Sequence, residues 1–578
     1  MSEITKILIA NRGEIALRII RTARAMGIAT VAVYSDADRD AAHVIAADEA
    51  VRIGAGAADS SAPAASYLNI DALLRAAKET GADAVHPGYG FLSERAEFAR
   101  RCGEAGLVFI GPPPEVIEAM GRKDYARRVA EQAAVPVLPT YRPDDPAMRL
   151  PVLVKAAAGG GGKGMRIVRY AADLPEALAA AQREAESAFG DGTMLIERYV
   201  EHGRHVEVQV LADAHGNVLH LGERDCSVQR RHQKVVEESP APTISAAARE
   251  SLLDAAVRLA AQVGYVNAGT VEFLVTGDEF FLLEMNTRLQ VEHPVTELVT
   301  GLDLVELQIR VAAGEPLPLR QEQVSSHGHA IEVRVYAEDA DHGFLPQAGR
   351  AGVVAWPRGE GVRVDAALRS FDEVSAWYDP MIGKVTGYGR DRECARETVL
   401  AALTRTRIDG LTTNLGFLSA LLGSAQFAEA AIDTAWLDRN PDLPLHPRLG
   451  ADGPTPFDLL DGWRLAGPPR PAQARVERSR ASSSSAAAVL DGVVRAPMPG
   501  TVIALKAGPG QRVSAGEALG ALEAMKMEHT LTAPHDGVVT RVGACVGDQV
   551  PIGAELFVVE SPAGEEPAGE AAEGEDLP

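Results

Sequence analysis

The chain has 578 residues, of which 46% are hydrophobic and 24% are charged, and its formal net charge is −23. At about one domain per ~150 residues, this length predicts roughly four domains of ordinary globular composition. The negative charge argues against binding to nucleic acid or to an anionic membrane surface, because both attract basic protein faces.

The cysteines and the hydropathy pattern bear on the cellular compartment. Cys102, Cys226, Cys394 and Cys545 are scattered without a Cys-x-x-Cys pair, which favours a reducing compartment and argues against a thiolate metal site. Residues 1–11 lack the pattern of a signal peptide, and no apolar run reaches the ~18 residues that a membrane-spanning helix needs. We therefore expect a cytoplasmic protein.

The N-terminal region alternates short apolar runs, which favour buried parallel strands, with helical patterns. This alternation predicts a Rossmann-like sheet, but the single Gly13 is not a Gly-x-Gly-x-x-Gly fingerprint, which argues against dinucleotide binding. The segment His86–Glu94 follows a predicted strand end, where open α/β sheets bind ligands; a plain glycine-rich loop is the alternative. The predicted elements are strands Lys6–Ala10, Thr30–Tyr34 and Ala84–Val85 and helices Gly13–Met26, Ile70–Thr80 and Glu94–Ala105.

A glycine-rich stretch, Gly159–Gly164, lies between two predicted strands, Val152–Ala157 and Met165–Val168. Glycine lets backbone N–H groups approach phosphate oxygens closely. A Walker loop would need Ser or Thr after Lys163 and then a helix, whereas Gly164 and a strand follow here. The pattern fits a glycine flap between antiparallel strands, as in the ATP-grasp fold; a flexible linker is the alternative.

A predicted hairpin joins Val271–Val275 to Phe280–Glu284. If the loop centres on Asp278, Glu272 and Glu284 face one another, which destabilises the pair unless a cation lies between the two carboxylates. Mg²⁺ takes carboxylate and phosphate oxygens in this way.

Polar residues then continue at every second position, so one face of an extended chain would carry amide, guanidinium and carboxylate groups. A solvated polar edge strand is the alternative. The residues in this row are Glu284, Asn286, Arg288, Gln290 and Glu292.

The region from Val493 to Glu560 is a tandem repeat with a spacing of 37 positions, as from Ala496 to Ala533 and from Leu519 to Leu556. Two short-stranded, glycine-punctuated halves predict an all-β module with a pseudo-twofold axis. Lys526 lies at the join between two methionines, so we expect it at an exposed hairpin tip. A solvated surface lysine is the alternative, but flanking apolar side chains gain nothing there unless another surface docks on them.

Three segments carry a family resemblance. The sequence Ala-Met-Lys-Met at 524–527 resembles a biotin carboxyl carrier domain; lipoyl domains share the fold but usually place an acidic residue beside their lysine. Glu284–Pro294 and Gly222–Lys234 are closely similar to biotin carboxylase. Together they make the chain resemble the α subunit of an acyl-CoA carboxylase of the acetyl- or propionyl-CoA type.

The resemblance implies α/β and α+β domains followed by an all-β barrel-sandwich domain. The implied divisions are a Rossmann-like pre-ATP-grasp domain at 1–118, an ATP-grasp domain at 119–320, a biotin carboxylase C-terminal domain at 328–446 and a biotinyl domain at 490–561. Between and after them, a composition rich in Pro, Arg, Ser and Ala predicts a flexible linker at 447–489, and one rich in Glu, Gly and Ala predicts a disordered acidic tail at 562–578.

The resemblance also implies the site residues. Arg288, Glu292, Lys234 and Arg334 would be catalytic, with Glu292 as the general base and Arg334 stabilising the biotin enolate. Bicarbonate and biotin would contact Lys234, Arg288, Gln290, Val291, Arg334 and Tyr89. Mg²⁺ or Mn²⁺ would bind Glu272, Glu284 and Asn286, and biotin would be attached to Lys526. ATP would contact Lys123, Lys155, Gly161, Gly162, Glu197, Arg198, Tyr199, Val200, His205, Gln229, His232 and Glu272.

The implied activity is that of an ATP-dependent carbon–nitrogen ligase: bicarbonate and ATP carboxylate biotinyl-Lys526 through carboxyphosphate. The expected partners are a biotin protein ligase and a separate carboxyltransferase β subunit, which would use acetyl-CoA, propionyl-CoA or a related acyl-CoA, and we expect a homo-oligomer within that complex. A carrier with an inactive ATP site and an ATP-grasp ligase for another carboxylate are the alternatives. Two departures from the family pattern are a short Thr140–Leu150 segment without a helical pattern and Arg198 where Lys is common.

Overall fold

The computed structural model describes residues 3–54, 61–156, 165–189, 192–231, 233–440, 492–498, 500–524, 527–550 and 552–560. Four predicted site residues, Gly161, Gly162, His232 and Lys526, lie outside these ranges, as do the predicted linker and acidic tail. Among the described residues, no helix combines the length and the apolar character needed to cross a membrane. All four cysteines are free thiols.

The N-terminal region forms a five-stranded sheet in the order β3-β2-β1-β4-β5, with every pair parallel. Parallel neighbours need crossover connections, which the helices provide. The predicted Rossmann-like alternation is thereby confirmed. The elements are β1 Lys6–Ile9, α1 Gly13–Ala25, β2 Ala29–Tyr34, α2 Ala42–Ala46, β3 Glu49–Arg52, α3 Ile70–Thr80, β4 Ala84–His86, α4 Ala96–Glu104, β5 Val108–Phe109 and α5 Pro114–Met120.

A four-stranded sheet in the order β6-β9-β7-β8 follows helix α6. Strands β7 and β8 pair antiparallel, with Val152 opposite Val168, so the strands predicted to flank the glycine stretch are confirmed. Residues 142–150 contain no helix, as their sequence predicted. The elements are α6 Lys123–Gln132, β6 Thr140–Tyr141, β7 Val152–Ala156, β8 Arg166–Val168, α7 Leu174–Phe189 and β9 Met194–Arg198.

The largest sheet has eight strands in the order β14-β13-β10-β11-β12-β15-β22-β20. It runs without a break from the predicted ATP-grasp region into the predicted C-terminal domain, because β12 pairs with β15 through Val236 and Val333. Its strands are β10 Arg204–Ala212, β11 Val218–Arg230, β12 Gln233–Ser239, β13 Asn267–Thr276, β14 Glu279–Asn286, β15 His329–Tyr336, β20 Val362–Ala366 and β22 Met381–Gly389.

Helices and short strands complete this part of the chain. Helix α8 packs its buried face on strands β10 and β11. The remaining elements are α8 Ala246–Gln262, α9 His293–Thr300, α10 Leu304–Ala312, β16 Glu338–Asp339, β17 Leu345–Pro346, β18 Gly349–Arg350, β19 Val354–Ala355, β21 Glu373–Val374, α11 Arg392–Arg405, β23 Arg407–Ile408, α12 Leu415–Leu422, α13 Ala425–Ala428 and α14 Trp436–Arg439.

The β13–β14 hairpin differs from its prediction in two respects. Its loop is the two-residue Gly277-Asp278, and Leu283 forms a β-bulge that shifts the register by one residue. The bulge brings Glu272 opposite Glu284, so the predicted pairing holds for a reason that the sequence did not show. The condition for a polar face shared as far as Glu292 was an extended chain, and it is not met, because the strand ends at Asn286.

The C-terminal module consists of two four-stranded sheets, β24-β31-β29-β26 and β28-β27-β25-β30. Strands β25, β26 and β27 are related to β29, β30 and β31 by the 37-residue repeat, and each sheet is a copy of the other, which confirms the predicted pseudo-twofold. Ala524 pairs with Met527 at the strand ends that flank Lys526. The strands are β24 Val493–Arg495, β25 Gly500–Leu505, β26 Arg512–Val513, β27 Ala518–Ala524, β28 Met527–Thr532, β29 Gly537–Val542, β30 Gln549–Val550 and β31 Glu555–Glu560.

Candidate active site

The site is built on the polar face of strand β10. Side chains alternate between the two faces of a strand, so Val206, Val208 and Val210 lie in the apolar core beside α8. His205 and Glu207 therefore point away from that core, and both are buried. A buried polar face needs partners for its charges, and these come from neighbouring strands.

Cross-strand pairing aligns three glutamates in one row. Glu284 lies opposite Glu272, and Glu272 lies opposite Glu207. Like charges in such a row repel one another. Two cations reduce the repulsion: Arg224, which pairs with Glu207 in the register of β10 and β11, and Lys234 of β12.

Lys234 is the cation at the centre of the site. Its Nζ donates to Glu207 at 2.6 Å, to Glu272 at 2.8 Å and to Glu292 at 2.7 Å. Burial would lower the pKa of Lys234, but these three carboxylates raise it well above its ordinary value. The Lys234 ammonium is therefore protonated at neutral pH, and it joins the row of glutamates to Glu292.

Glu292 is fully buried and held by two cations. Its other carboxylate oxygen accepts a 2.9 Å hydrogen bond from Arg334, whose Nε donates to Glu237 at 2.5 Å. Burial alone would raise the pKa of Glu292, but Lys234 and Arg334 lower it well below its ordinary value. The predicted base, the predicted lysine and the predicted arginine are thus in direct contact.

His205 and Gln229 lie on the other side of Glu272. The Nε2 of His205 is 3.0 Å from Glu272, and the amide of Gln229 is 2.7 Å from His205 Nδ1. Burial would lower the pKa of His205, but Glu272 raises it. In the neutral imidazole, with the Gln229 amide as donor, Nδ1 is the acceptor and the proton is on Nε2, the nitrogen nearer the Glu272 carboxylate.

Arg288 organises the segment after strand β14. Its guanidinium donates to Asn286 at 3.0 Å and to Gln290 at 2.9 Å, and its Nε donates to Glu94 at 2.8 Å. Asn286 and Gln290 both donate to Glu272, at 2.8 and 3.1 Å. The predicted row of polar residues therefore converges through side-chain hydrogen bonds and not through an extended backbone.

Glu272, Glu284 and Asn286 present oxygen atoms suited to a hard cation. Part of the Glu284 surface is open to solvent, yet desolvation and the charges of Glu272 and Glu94 raise the pKa of this carboxylate. Added positive charge would relieve that repulsion, so these residues fit a divalent ion. A second group, His205, Glu207 and Glu272, has ligand atoms within 4.8 Å of one another, but the Lys234 ammonium already contacts both of its carboxylates.

The predicted phosphate-binding lysines lie close to acidic groups. Lys155 forms an ion pair with Glu197. Burial and the nearby Lys155 lower the pKa of Lys123. Arg198 extends to Glu279 at 3.3 Å and over the Phe281 ring, so the side chain that departs from the family pattern is held by the β13–β14 hairpin.

Three other predicted residues have simpler environments. Tyr199 and Val200 are half-buried at the end of strand β9. The hydroxyl of Tyr89 donates to Glu14 of helix α1.

The environment of Cys226 argues against a role as a nucleophile. Its Sγ lies 4.0 Å from Glu292 in a fully buried position. Burial and the negative charges of Glu207 and Glu292 raise the thiol pKa well above its ordinary value. The thiolate is the reactive form, so this thiol is inert at neutral pH.

Three acidic members of the site, Glu94, Glu207 and Glu237, were not assigned a role from the sequence. A signal for Glu207 was present, because His205, Glu207 and Gln209 alternate with three valines in the pattern of a strand with one polar face. Glu94 is the last residue of the predicted ligand-binding segment His86–Glu94, but its pairing with Arg288 was not predictable, because Arg288 is distant in the sequence. Glu237 carries no comparable signal, since its partner Arg334 is also distant.

Four protein families match successive parts of the chain. They are "Biotin carboxylase, N-terminal domain" at residues 3–117, "Carbamoyl-phosphate synthase L chain, ATP binding domain" at 145–320, "Biotin carboxylase C-terminal domain" at 332–439 and "Biotin-requiring enzyme" at 492–559.

Full-length relatives and solved structures are similar over most of the chain. The methylcrotonoyl-CoA carboxylase α subunit of Oryza sativa is 51% identical over 75% of this chain and 60% of its own length. The propionyl-CoA carboxylase α chain of Ruegeria pomeroyi is 39% identical over 95% of this chain and 98% of its own.

A biotin carboxylase domain dimer of Hydrogenobacter thermophilus 2-oxoglutarate carboxylase was solved with MgADP, ADP and bicarbonate. It is 42% identical, has a TM-score of 0.71 and covers 77% of this chain and 99% of that one. The chain spans about 60% of the length of the plant methylcrotonoyl-CoA carboxylase subunit.

Proposed function

The chain belongs to the family of biotin carboxylases and acyl-CoA carboxylase α subunits, and from this we propose that it is an ATP-dependent ligase that carboxylates its own biotinyl-Lys526. Bicarbonate and ATP would give carboxyphosphate and ADP, and the carboxyl group would pass to the biotin of the carrier module. The observation that carries the proposal is the direct contact of Glu292 with Lys234 and Arg334, at 2.7 and 2.9 Å.

Glu292 would accept the proton of bicarbonate. Lys234 and Arg334 keep its carboxylate ionised at neutral pH, which is the state that a general base needs. The same cations lower its affinity for a proton. A bound anion that also contacts Lys234 and Arg334 would offset part of their positive charge, and the pKa of Glu292 would rise. Glu292 would therefore become a stronger base only when substrate is bound.

Positive charge surrounds the place where anionic groups would react. Phosphoryl transfer depends on positioning and charge neutralisation, which Lys123, Lys155, Lys234 and Arg288 would supply. Glu272, Glu284 and Asn286 would hold Mg²⁺ or Mn²⁺, which when bound neutralises phosphate oxygens. Gln290 and Val291 would orient bicarbonate beside Glu292, and Arg334 would face the charge that develops on the biotin ring.

The proposed partners follow from the same chemistry. A biotin protein ligase would modify Lys526, and a separate carboxyltransferase β subunit would take the carboxyl group to an acyl-CoA. We propose acetyl-CoA, propionyl-CoA or a related short acyl-CoA as acceptor, which is in keeping with the carboxylase relatives.

The first test is transfer of label to the carrier. Biotinylated full-length protein incubated with ATP, Mg²⁺ and labelled bicarbonate is expected to carry acid-labile label, whereas a Lys526→Ala variant carries none. The variant lacks only the acceptor, so it should retain bicarbonate-dependent ATP hydrolysis when free biotin is supplied. Wild-type protein with confirmed biotin that neither takes up label nor hydrolyses ATP would refute the ligase proposal.

The metal site is tested by Glu284→Gln. Removing one anionic oxygen ligand should raise the Mg²⁺ concentration needed for half-maximal ATP turnover by roughly tenfold or more. The measurement is a Mg²⁺ titration at fixed ATP, with Glu250→Gln as the control, because Glu250 is an exposed glutamate on helix α8. If the Glu284→Gln and Glu250→Gln variants need the same Mg²⁺ concentration for half-maximal ATP turnover, Glu284 is not a ligand of the metal ion.

A further inference from the structure

The backbone between strand β14 and helix α9 is held by side chains. Residues 288–292 form neither helix nor strand. The carbonyl of Gln290 is 2.8 Å from the imidazole Nδ1 of His293, and the carbonyl of Val291 accepts a 2.6 Å hydrogen bond from Lys384. This segment carries Gln290, Val291 and Glu292 of the proposed bicarbonate site, so its geometry depends on these two donors.

Lys384 reaches the segment from strand β22, more than 90 positions along the chain. Its side chain has no solvent exposure, and Lys384 lies directly opposite Arg334 in the register of β15 and β22. Its Nζ is 3.3 Å from Glu14 of helix α1, which also accepts a hydrogen bond from Tyr89. The ammonium group of Lys384 therefore connects helix α1, strand β22 and the segment before helix α9.

The charge of this ammonium group is maintained by its surroundings. Burial would lower the pKa of Lys384, but the carboxylates of Glu14, Glu332 and Asp365 raise it, against the repulsion of Arg363. Burying a charged lysine costs free energy, and a well-packed apolar side chain at this position would make the fold at least as stable. The ammonium instead donates to the carbonyl that directly precedes Glu292.

We propose that Lys384 is a positioning residue for the bicarbonate half-reaction, with Glu14 as its counter-ion. The inference rests on the proposed function. The hydrogen bond to the Val291 carbonyl fixes the peptide plane between Val291 and Glu292. It thereby sets the direction of the Val291 backbone and of the Glu292 carboxylate, without contact between Lys384 and substrate.

The test compares Lys384→Met with Lys384→Arg in full-length, biotinylated protein. Methionine fills the space without donating, so the KM for bicarbonate in ATP hydrolysis should rise roughly tenfold or more, while the KM for ATP stays within about twofold. Arginine keeps the charge and a donor and should recover part of the loss. Lys78→Met, at an exposed lysine of helix α3, is the matched control and should behave as wild type.

Two results would overturn the inference. One is an unchanged bicarbonate KM in Lys384→Met; the other is a parallel rise in both KM values with no recovery by arginine, which marks a purely structural role. If the Lys384→Met variant does not fold, the Glu14→Gln variant tests the proposal instead. It keeps the side-chain volume of Glu14 but removes the negative charge opposite Lys384. It should raise the bicarbonate KM selectively, and an unchanged value would count against the proposal.

Failure of the proposed function is a separate outcome. Wild-type protein without bicarbonate-dependent ATP hydrolysis would refute the ligase assignment. Active wild-type protein with unaltered variants would refute only the role of Lys384.

Discussion

Replacing Glu292 with glutamine is expected to reduce bicarbonate-dependent ATP hydrolysis by about 10²- to 10⁴-fold, the range typical for loss of a general base. Glutamine has nearly the same shape but cannot accept the bicarbonate proton. ATP binding should remain within about twofold of wild type, because Glu292 contacts Lys234, Arg334 and the Cys226 thiol and none of the described residues proposed to bind the nucleotide. Steady-state rates and nucleotide binding by calorimetry measure the two effects separately.

A matched control removes a buried carboxylate elsewhere. Glu238 pairs with Arg392 at 2.6 Å and is buried like Glu292, but it belongs to no proposed substrate site. The Glu238→Gln variant should retain bicarbonate-dependent ATP hydrolysis even if the folded protein becomes less stable. Activity of Glu292→Gln within tenfold of wild type would mean that another group accepts the proton.

Arg224→Met is expected to destabilise the part of the chain that contains the eight-stranded sheet by ~3–5 kcal/mol, the usual cost of breaking a buried ion pair. Arg224 is among the largest fully buried side chains of the described residues, and it donates to Glu207 at 2.6 Å and to Gln209 at 2.8 Å. It also donates to Thr296 at 2.9 Å and to Thr270 at 3.1 Å. Methionine fills the volume but leaves these acceptors without their donor.

Urea unfolding, followed by circular dichroism and by intrinsic fluorescence, measures the decrease in the free energy of unfolding. If the chain unfolds in more than one transition, the transition whose urea midpoint shifts identifies the affected part. Arg310→Met is the control, since Arg310 forms an exposed pair with Glu306 one helical turn away. That change should cost no more than ~0.5 kcal/mol. A loss below ~1 kcal/mol for Arg224→Met would show that water or a rearranged Lys234 replaces the missing donor.

The sequence by itself determined the local structure and the family. Periodicity of two and of 3.6 residues located the strands and helices, because burial of one face acts over neighbouring positions. The 37-residue repeat located the two halves of the carrier module. The sequence also placed Glu272 and Glu284 on one hairpin, but their direct opposition depends on the bulge at Leu283.

Only the tertiary structure decided how the charges of the site are paired. Glu207 contacts Lys234 and Glu237 contacts Arg334 through strands that come together only in the eight-stranded sheet. Lys384 reaches Val291 and Glu14, which are also far from it in the sequence. A bulge at Leu283 sets the register between β13 and β14. Strand β14 ends at Asn286, although the alternation of polar residues in the sequence continues to Glu292. Local patterns report which face of an element is buried, but pairing of buried charges depends on the register and neighbours that folding creates.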